Sequence, residues 1–301
     1  MSQYIDLIKA EVIADSITER NDRMTTMVIE YPRFILAELN THRMLSKNSA
    51  SSRAIPTAAM HSQIQQAPAG PVHWGRNQSG MQANSEIDAE TQTTANAVWQ
   101  LAMESAIKYS KELADLGVHK QICNRITEPW MTMRTVISGT EWNNFWWLRC
   151  HRDAQPEFQA LATMMEDLYD CSTPQLLMPD EWHLPFVKAS RCKNSGVLRY
   201  YVGAEEVTLE DAKLVSVSCC AQVSYRKTDD SLLKARKIFS QLIESEPVHA
   251  SPVEHQATPI DYEKFKQPQS VTHSSRCGSK WSGNLRGWIQ YRKTIPGEAR
   301  W

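Results

Sequence analysis

Two arginines, Arg43 and Arg53, bracket Ser46, Asn48, Ser49, Ser51 and Ser52, five hydroxyl or amide side chains within eleven residues. Guanidinium donates in a bidentate fork and serine hydroxyls add short hydrogen bonds, a combination that suits a phosphate. Composition alone leaves a solvated, serine-rich turn equally open. A second run places Arg125 before Thr127, Glu128 and Pro129, continues through Asn143-Asn144-Phe145-Trp146-Trp147-Leu148-Arg149, and reaches Ala154-Gln155-Pro156-Glu157. Read as a helix, its aromatics are core and Arg149 is the C-terminal charge. A third run is His249-Ala250-Ser251-Pro252-Val253-Glu254-His255. By itself it reads as a helix start, with Ser251 as the cap, Pro252 first and Glu254 third. A helix N-terminus also favours an anionic phosphate, so both readings hold together.

These residues need a scaffold. Residues 6–14 and 24–30 are rich in β-branched and apolar side chains and read as strands. A helix is expected just after Pro32, since Phe34, Ile35, Leu39 and Met44 recur at roughly helical spacing. Residues 54–90 mix Pro, Gly, Asn, Gln and Ser and read as a long ordered loop after a short helix. Residues 88–116 predict an amphipathic helix ended by Gly117, and further helices are expected near 139–150 and 155–170. The run from Val207 to Tyr225 reads as a turn into a buried strand or a short helix, and residues 232–245 as an amphipathic helix. The last forty residues are polar, with Pro and Gly among aromatics. No solenoid-length repeat and no long linker interrupts the chain. The expected fold is α/β (α+β): a single mixed domain over 1–301 with a central antiparallel-rich sheet, flanking helices and long loops.

The run His42-Arg43-x-x-Ser46-x-Asn48-x-x-Ser51-x-Arg53 resembles the signature of flavin-dependent thymidylate synthases, RHRxxSxNExSxRY, with Thr41 for the first Arg, Ser49 for Glu and Ala54 for Tyr. The second run is similar to the same family's R-x-x-x-P, N-F-L-x-L-R and A-Q-x-E order. The third looks like its H-x-S/T-P-x-E-H segment, with Cys220 to Tyr225 resembling the start that accompanies it. In the ordinary order this third block precedes the HR motif; here it follows by about two hundred residues. The chain thus resembles a rearranged or circularly permuted member, of a kind found among phage-encoded homologues. The family-like segments are 24–56, 119–170 and 214–259, with an insertion over 57–90 and an extension over 260–301.

The resemblance implies a one-carbon transfer from methylenetetrahydrofolate to C5 of a pyrimidine deoxynucleotide, dUMP to dTMP, with FAD as relay and NADPH as reductant. It implies that Arg149 contacts the pyrimidine and promotes its ionisation. Ser49, Ser51, Ser52, Arg53 and Arg125 would bind the nucleotide, and His42, Arg43, Asn144, His249, Ser251, Glu254 and His255 the cofactor. Ser51 reads as a phosphate or sugar contact, and no cysteine is needed as nucleophile. Glu38, three residues before Thr41, would accept from a cytosine amino group, accept from ribose, or sit as an ordinary helix charge beside Arg33. C5 hydroxymethylation of dUMP or dCMP, methylation of dCMP, and a non-catalytic nucleotide- or flavin-binding homologue stand as alternatives. A homotetramer is expected by the same analogy.

Composition excludes other classes. The 33 Lys and Arg nearly cancel 34 Asp and Glu, a formal net charge of -1, which argues against coating a nucleic acid polymer through bulk charge. No apolar run approaches a membrane span, and the N-terminal residues lack signal-peptide order. Seven cysteines, odd in number and without a CxxC, argue against a zinc site or a disulfide scaffold. The expectation is a protein of the cytoplasm, or of the host cytoplasm if phage-encoded. Three weaker features remain. Trp74 to Met81 mixes glycine with an aromatic that could order over a ligand. Gly287 to Lys293 offers two cations for a phosphate, a folate tail or docking. His183 reads as a structural histidine.

Overall fold

The computed structural model describes residues 4–224, 228–263 and 270–299; Tyr225, the end of the family-like Cys220–Tyr225 run, lies outside them. In chain order the elements begin with β1 (Lys9–Ile17), β2 (Arg23–Pro32), α1 (Leu36–Leu39), β3 (Ser46–Ser49), α2 (Thr57–Gln66) and α3 (Ala89–Asp115). They continue with α4 (Lys120–Cys123), β4 (Thr132–Gly139), α5 (Asn143–Arg149), α6 (Pro156–Cys171) and β5 (Gln175–Leu176). Three strands follow, β6 (Lys188–Arg191), β7 (Leu198–Val202) and β8 (Glu205–Val207), then helices α7 (Leu209–Ala221) and α8 (Leu232–Leu242). The chain ends in short strands: β9 (Ala257–Pro259), β10 (His273–Ser274), β11 (Lys280–Ser282), β12 (Leu285–Arg286) and β13 (Trp288–Gln290).

The fold is mixed α/β, built on a five-stranded sheet of order β3-β4-β2-β1-β5. All its pairings are antiparallel except β1 with β5. Strand β2 is buried on both faces because side chains alternate sides. Met27, Ile29 and Tyr31 join Phe158, Leu161 and Met165 of α6 in the largest core, while Val28 meets Val136, Cys220 and Val223 on the opposite face. Burying each such large side chain contributes roughly 1.5–3 kcal/mol.

Several sequence expectations shift. The first strand begins at Lys9 rather than residue 6. The helix after Pro32 is only a 3₁₀ turn, Arg33–Ile35, running into the four residues of α1. Within the Val207–Tyr225 run, Val207 closes β8 and Leu209–Ala221 is a 13-residue helix whose Thr208 cap accepts from the Asp211 amide. It is buried on nearly every side, so no amphipathic period betrayed it. The third run starts no α-helix: Ser251–Glu254 is a single 3₁₀ turn after Ala250, and Ser251 caps nothing. The long helix α3 behaves as expected, capped by Asp88 and stopped by Gly117 at φ +80°.

Candidate active site

Helix α5 forms because Trp142, Phe145, Trp146 and Arg149 recur at three- and four-residue spacing and share one face. Trp142 and Trp146 stack at 5.0 Å inside the largest core, whereas Trp147 is 74% exposed. The indole of Trp142 donates to the Gly139 carbonyl at 3.0 Å, fixing the helix to the end of β4. A Cβ on Gly139 would lie 2.4 Å from Leu45 Cδ2, so any side chain there would displace Leu45 from this corner.

Arg149, at the end of α5, is the centre of the site. Its Nε donates to His42 Nε2 at 2.8 Å, and Nη1 donates to the Glu38 carboxylate. Nη2 lies 3.5 Å from Thr41 Oγ1, and the guanidinium sits 4.7 Å over the Phe158 ring. Glu38 therefore faces Arg149, not Arg33. The His42 ring packs edge-on against Phe145, and its proton affinity is pushed down to about 4 by burial, then by Arg149 and Lys47. A neutral imidazole can then accept from Arg149 without opposing its charge.

Two cavities flank this arginine. One, about 350 Å³, is lined by Glu38, Trp147, Leu148, Arg149, His151 and Gln155, among others. The second, about 570 Å³, lies between the His42–Leu45 turn and α5. Arg43, Asn143 and Asn144 bring polar groups to it, Phe145 and Leu148 an apolar wall, and Trp281 closes it from the C-terminal strands. Asn143 lay within the second run but was not singled out there, and nothing in the sequence marked Trp281 or Glu141, another lining residue.

The serine run continues along β3. Ser49 accepts from Thr135 at 2.8 Å, and the Ser51 amide donates to Ser224 at 3.0 Å. The turn beyond is pinned by Asn124, whose amide donates to the Ser52 and Ile55 carbonyls. Ser52 donates to Glu128, which also meets Arg33 at 3.0 Å and Arg125 at 3.9 Å. Arg125 is 60% exposed at its side chain, and Arg53 is exposed beside the same turn. Glu38, His42, Arg43, Asn144 and Arg149 thus form one cluster, while Ser52 and Arg125 meet at Glu128 in another. Arg33, named in the sequence only as a neighbour for Glu38, belongs to the second.

The third run returns to β3 from two hundred residues away. Ser251 donates to Asn48 Oδ1 at 3.4 Å, and Asn48 donates to the Cys220 carbonyl at 2.6 Å. Glu254 pairs with Arg292, while His249 is exposed. His255 is fully buried, with Nδ1 2.8 Å from Ser138 Oγ. That contact ends a buried polar chain running Ser16–His183–Thr26–Ser138–His255. Lys47, in the middle of the serine run, donates to the His42 carbonyl; burial lowers its affinity to about 8, partly offset by Glu254. Arg292 and Lys293 both pair with Glu298, so the cations of 287–293 serve internal contacts. His183 is structural, bonded on both ring nitrogens.

Among the described residues no group of His, Cys, Asp and Glu is arranged to hold a metal ion, and no helix is long and apolar enough to cross a membrane.

A mixed α/β sheet with an arginine-centred pocket at the end of β4 is the class this fold and site define. The family model described as "Thymidylate synthase complementing protein" matches residues 17–175, more than half of the chain, and the chain belongs to that family. The matched span holds Glu38 to Arg53, Arg125, Asn144 and Arg149, and stops short of His249 to His255. Similar solved structures include the UMP/dUMP methylase PolB from Streptomyces cacaoi bound with 5-Br UMP, at 17% identity and TM-score 0.46 over 54% of this chain and 88% of that one. The same enzyme bound with 5-Br dUMP gives 16% identity and TM-score 0.46, over 54% and 89%. At this distance the likeness adds nothing beyond the family. No curated protein matches the chain.

Proposed function

We propose that the protein transfers a one-carbon unit to C5 of a pyrimidine deoxynucleotide, converting dUMP to dTMP with methylenetetrahydrofolate as donor. The observation that carries this reading is Arg149, held by a neutral His42 and a carboxylate at the junction of two cavities. C5 of uracil becomes nucleophilic only as negative charge develops across N3, C4 and O4. A guanidinium fixed at that ring edge in a water-poor pocket lowers the barrier by several kcal/mol. Of the five N–H donors of Arg149, Nε is committed to His42 and one on Nη1 to Glu38. Nη2, at its long contact with Thr41, is the group we assign to the base.

Arg53 and Arg125 supply the exposed cations for the 5′-phosphate, with Ser51 and Ser52 on the turn between them. Glu128 holds Ser52 in place, and its single charge is shared between Arg33 and Arg125. An FAD ring fits the larger cavity by the chemistry of its donors, with Arg43 and the Asn144 amide at its wall and Phe145 and Leu148 behind. When bound, flavin would relay the methylene and supply hydride, NADPH re-reducing it; the protein binds, orients and excludes water. The hydrogen bond of Ser251 to Asn48 brings the third run back beside β3, as a circularly permuted order requires. We assign assembly as a homotetramer to the outward apolar side chains of α3, Val98, Leu101 and Tyr109, and to exposed Trp147.

The test is direct. Purified protein supplied with FAD and NADPH is incubated with dUMP or dCMP and methylenetetrahydrofolate, and the product is identified by mass. A gain of one methyl on dUMP supports the reading. A hydroxymethyl product, or methylation of dCMP, replaces it with the alternatives. A colourless protein that takes up no FAD ends the flavin mechanism. Solution mass reports the assembly, and a monomer with full FAD affinity overturns the tetramer.

A further inference from the structure

We infer that Trp281, carried in by the C-terminal strands, is a stacking wall for a planar heteroaromatic ring bound beside Arg149. The inference rests on the reading above and adds a ligand contact from outside the family-matched span.

Trp281 lies on β11 and lines the same cavity as Arg149 and Asn144. Its place is set from three sides. On β10, His273 is its register partner and stacks on its ring at 5.7 Å with planes 11° apart. The carbonyl of Trp281 accepts from the Thr272 amide at 2.8 Å. The turn that follows is stapled to the opposite rim: Asn284 Nδ2 donates to the Met44 carbonyl and to Ser46 Oγ, both at 3.0 Å. On β12, Arg286 binds Glu141 and Asp22, tying the hairpin to the end of β4 and to the β1–β2 turn. The indole is therefore held against the His42–Leu45 turn by the strand and turn contacts on either side of it and by His273 stacked on its ring. A large aromatic held by its neighbours, half-buried, and lining a cavity whose apolar wall of Phe145 and Leu148 is joined by two amides and two arginines is suited to a flat ring.

Two rings could take that place, the pyrimidine of the nucleotide or the isoalloxazine of the flavin, and the chemistry of stacking is the same for both. Binding of dUMP and, separately, of FAD is measured by calorimetry on the full chain and on Trp281→Ala and Trp281→Phe. We expect Trp281→Ala to weaken one ligand by about tenfold or more and Trp281→Phe to recover most of that loss. The ligand that responds identifies the ring. Unchanged affinity for both ligands in both variants overturns the inference and leaves the proposed function standing. If the native chain binds neither ligand, both readings fall. Should Trp281→Ala lose its cooperative melt, the native protein still decides: the bound ring must slow amide exchange over 280–286, and no slowing with either ligand overturns the inference.

Discussion

Arg149 Nε donates to His42 Nε2 at 2.8 Å, joining the two family-signature runs through one hydrogen bond. The direction matters. An imidazolium could not accept it, so the low proton affinity of His42, about 4, keeps the pair intact across the working pH range. The pair fixes where the remaining N–H groups of Arg149 point.

Arg149→Ala should chiefly lower kcat for the proposed reaction, by about 2–4 kcal/mol of barrier, with a smaller change in KM for dUMP. Arg149→Lys should recover little, because an ammonium cannot reproduce a fork that meets His42 and Glu38 at once. Steady-state kinetics on the three proteins check this; recovery by lysine to near the native rate would show that charge alone suffices.

Glu38→Gln tests a different point. Because Glu38 is engaged by Arg149, it acts on the base only through that arginine. The substitution should reduce turnover by about tenfold, or about 1.4 kcal/mol, while the ratio of dUMP to dCMP turnover stays as in the native enzyme. A swing of that ratio toward either base would put Glu38 at the ring edge.

The buried histidines predict an acid-sensitive fold. Burial pushes His183 down to about 4 and His255 to about 3, against about 6.5 in the unfolded chain. The unfolded state thus takes up protons that the native state refuses. Their contribution is fully present above about pH 6.5 and is lost as pH falls toward 4 and then 3, at up to about 1.4 kcal/mol per pH unit for each histidine. Urea unfolding at pH 7, 6 and 5 should show a falling midpoint; a flat profile would mean that these rings are hydrated.

The C-terminal strands are integral to the fold. Trp288 is fully buried and its indole donates to the Asp22 carbonyl at 3.1 Å. Trp288→Ala should cost about 3–5 kcal/mol of unfolding free energy, read by denaturant titration. A loss below about 1 kcal/mol would mark the strands as a loosely docked appendage.

How much of this was written in the sequence varies with the kind of interaction. Local periodicity and capping sufficed for α3, where Asp88 and Gly117 each act within a turn of their own end of the amphipathic run. The serine-flanked arginines, Asn144 and Arg149 were legible because residue type and spacing survive in a linear motif. Helix α7 was not, since burial on nearly all sides erases the alternation that distinguishes helix from strand. The partner of Glu38 was not either: that side chain could reach several groups, and only the packing of α5 against the His42 turn chose Arg149. Trp281 had no local mark at all, and Arg33 stood only as a neighbour for Glu38. Their roles arise where β11 and the Glu128 corner meet segments remote in the chain, and such long-range closure depends on how the whole core packs. The sequence by itself determined the family motifs and the locally capped helix; the tertiary structure decided which of the motif residues touch, because those contacts join segments far apart in the chain.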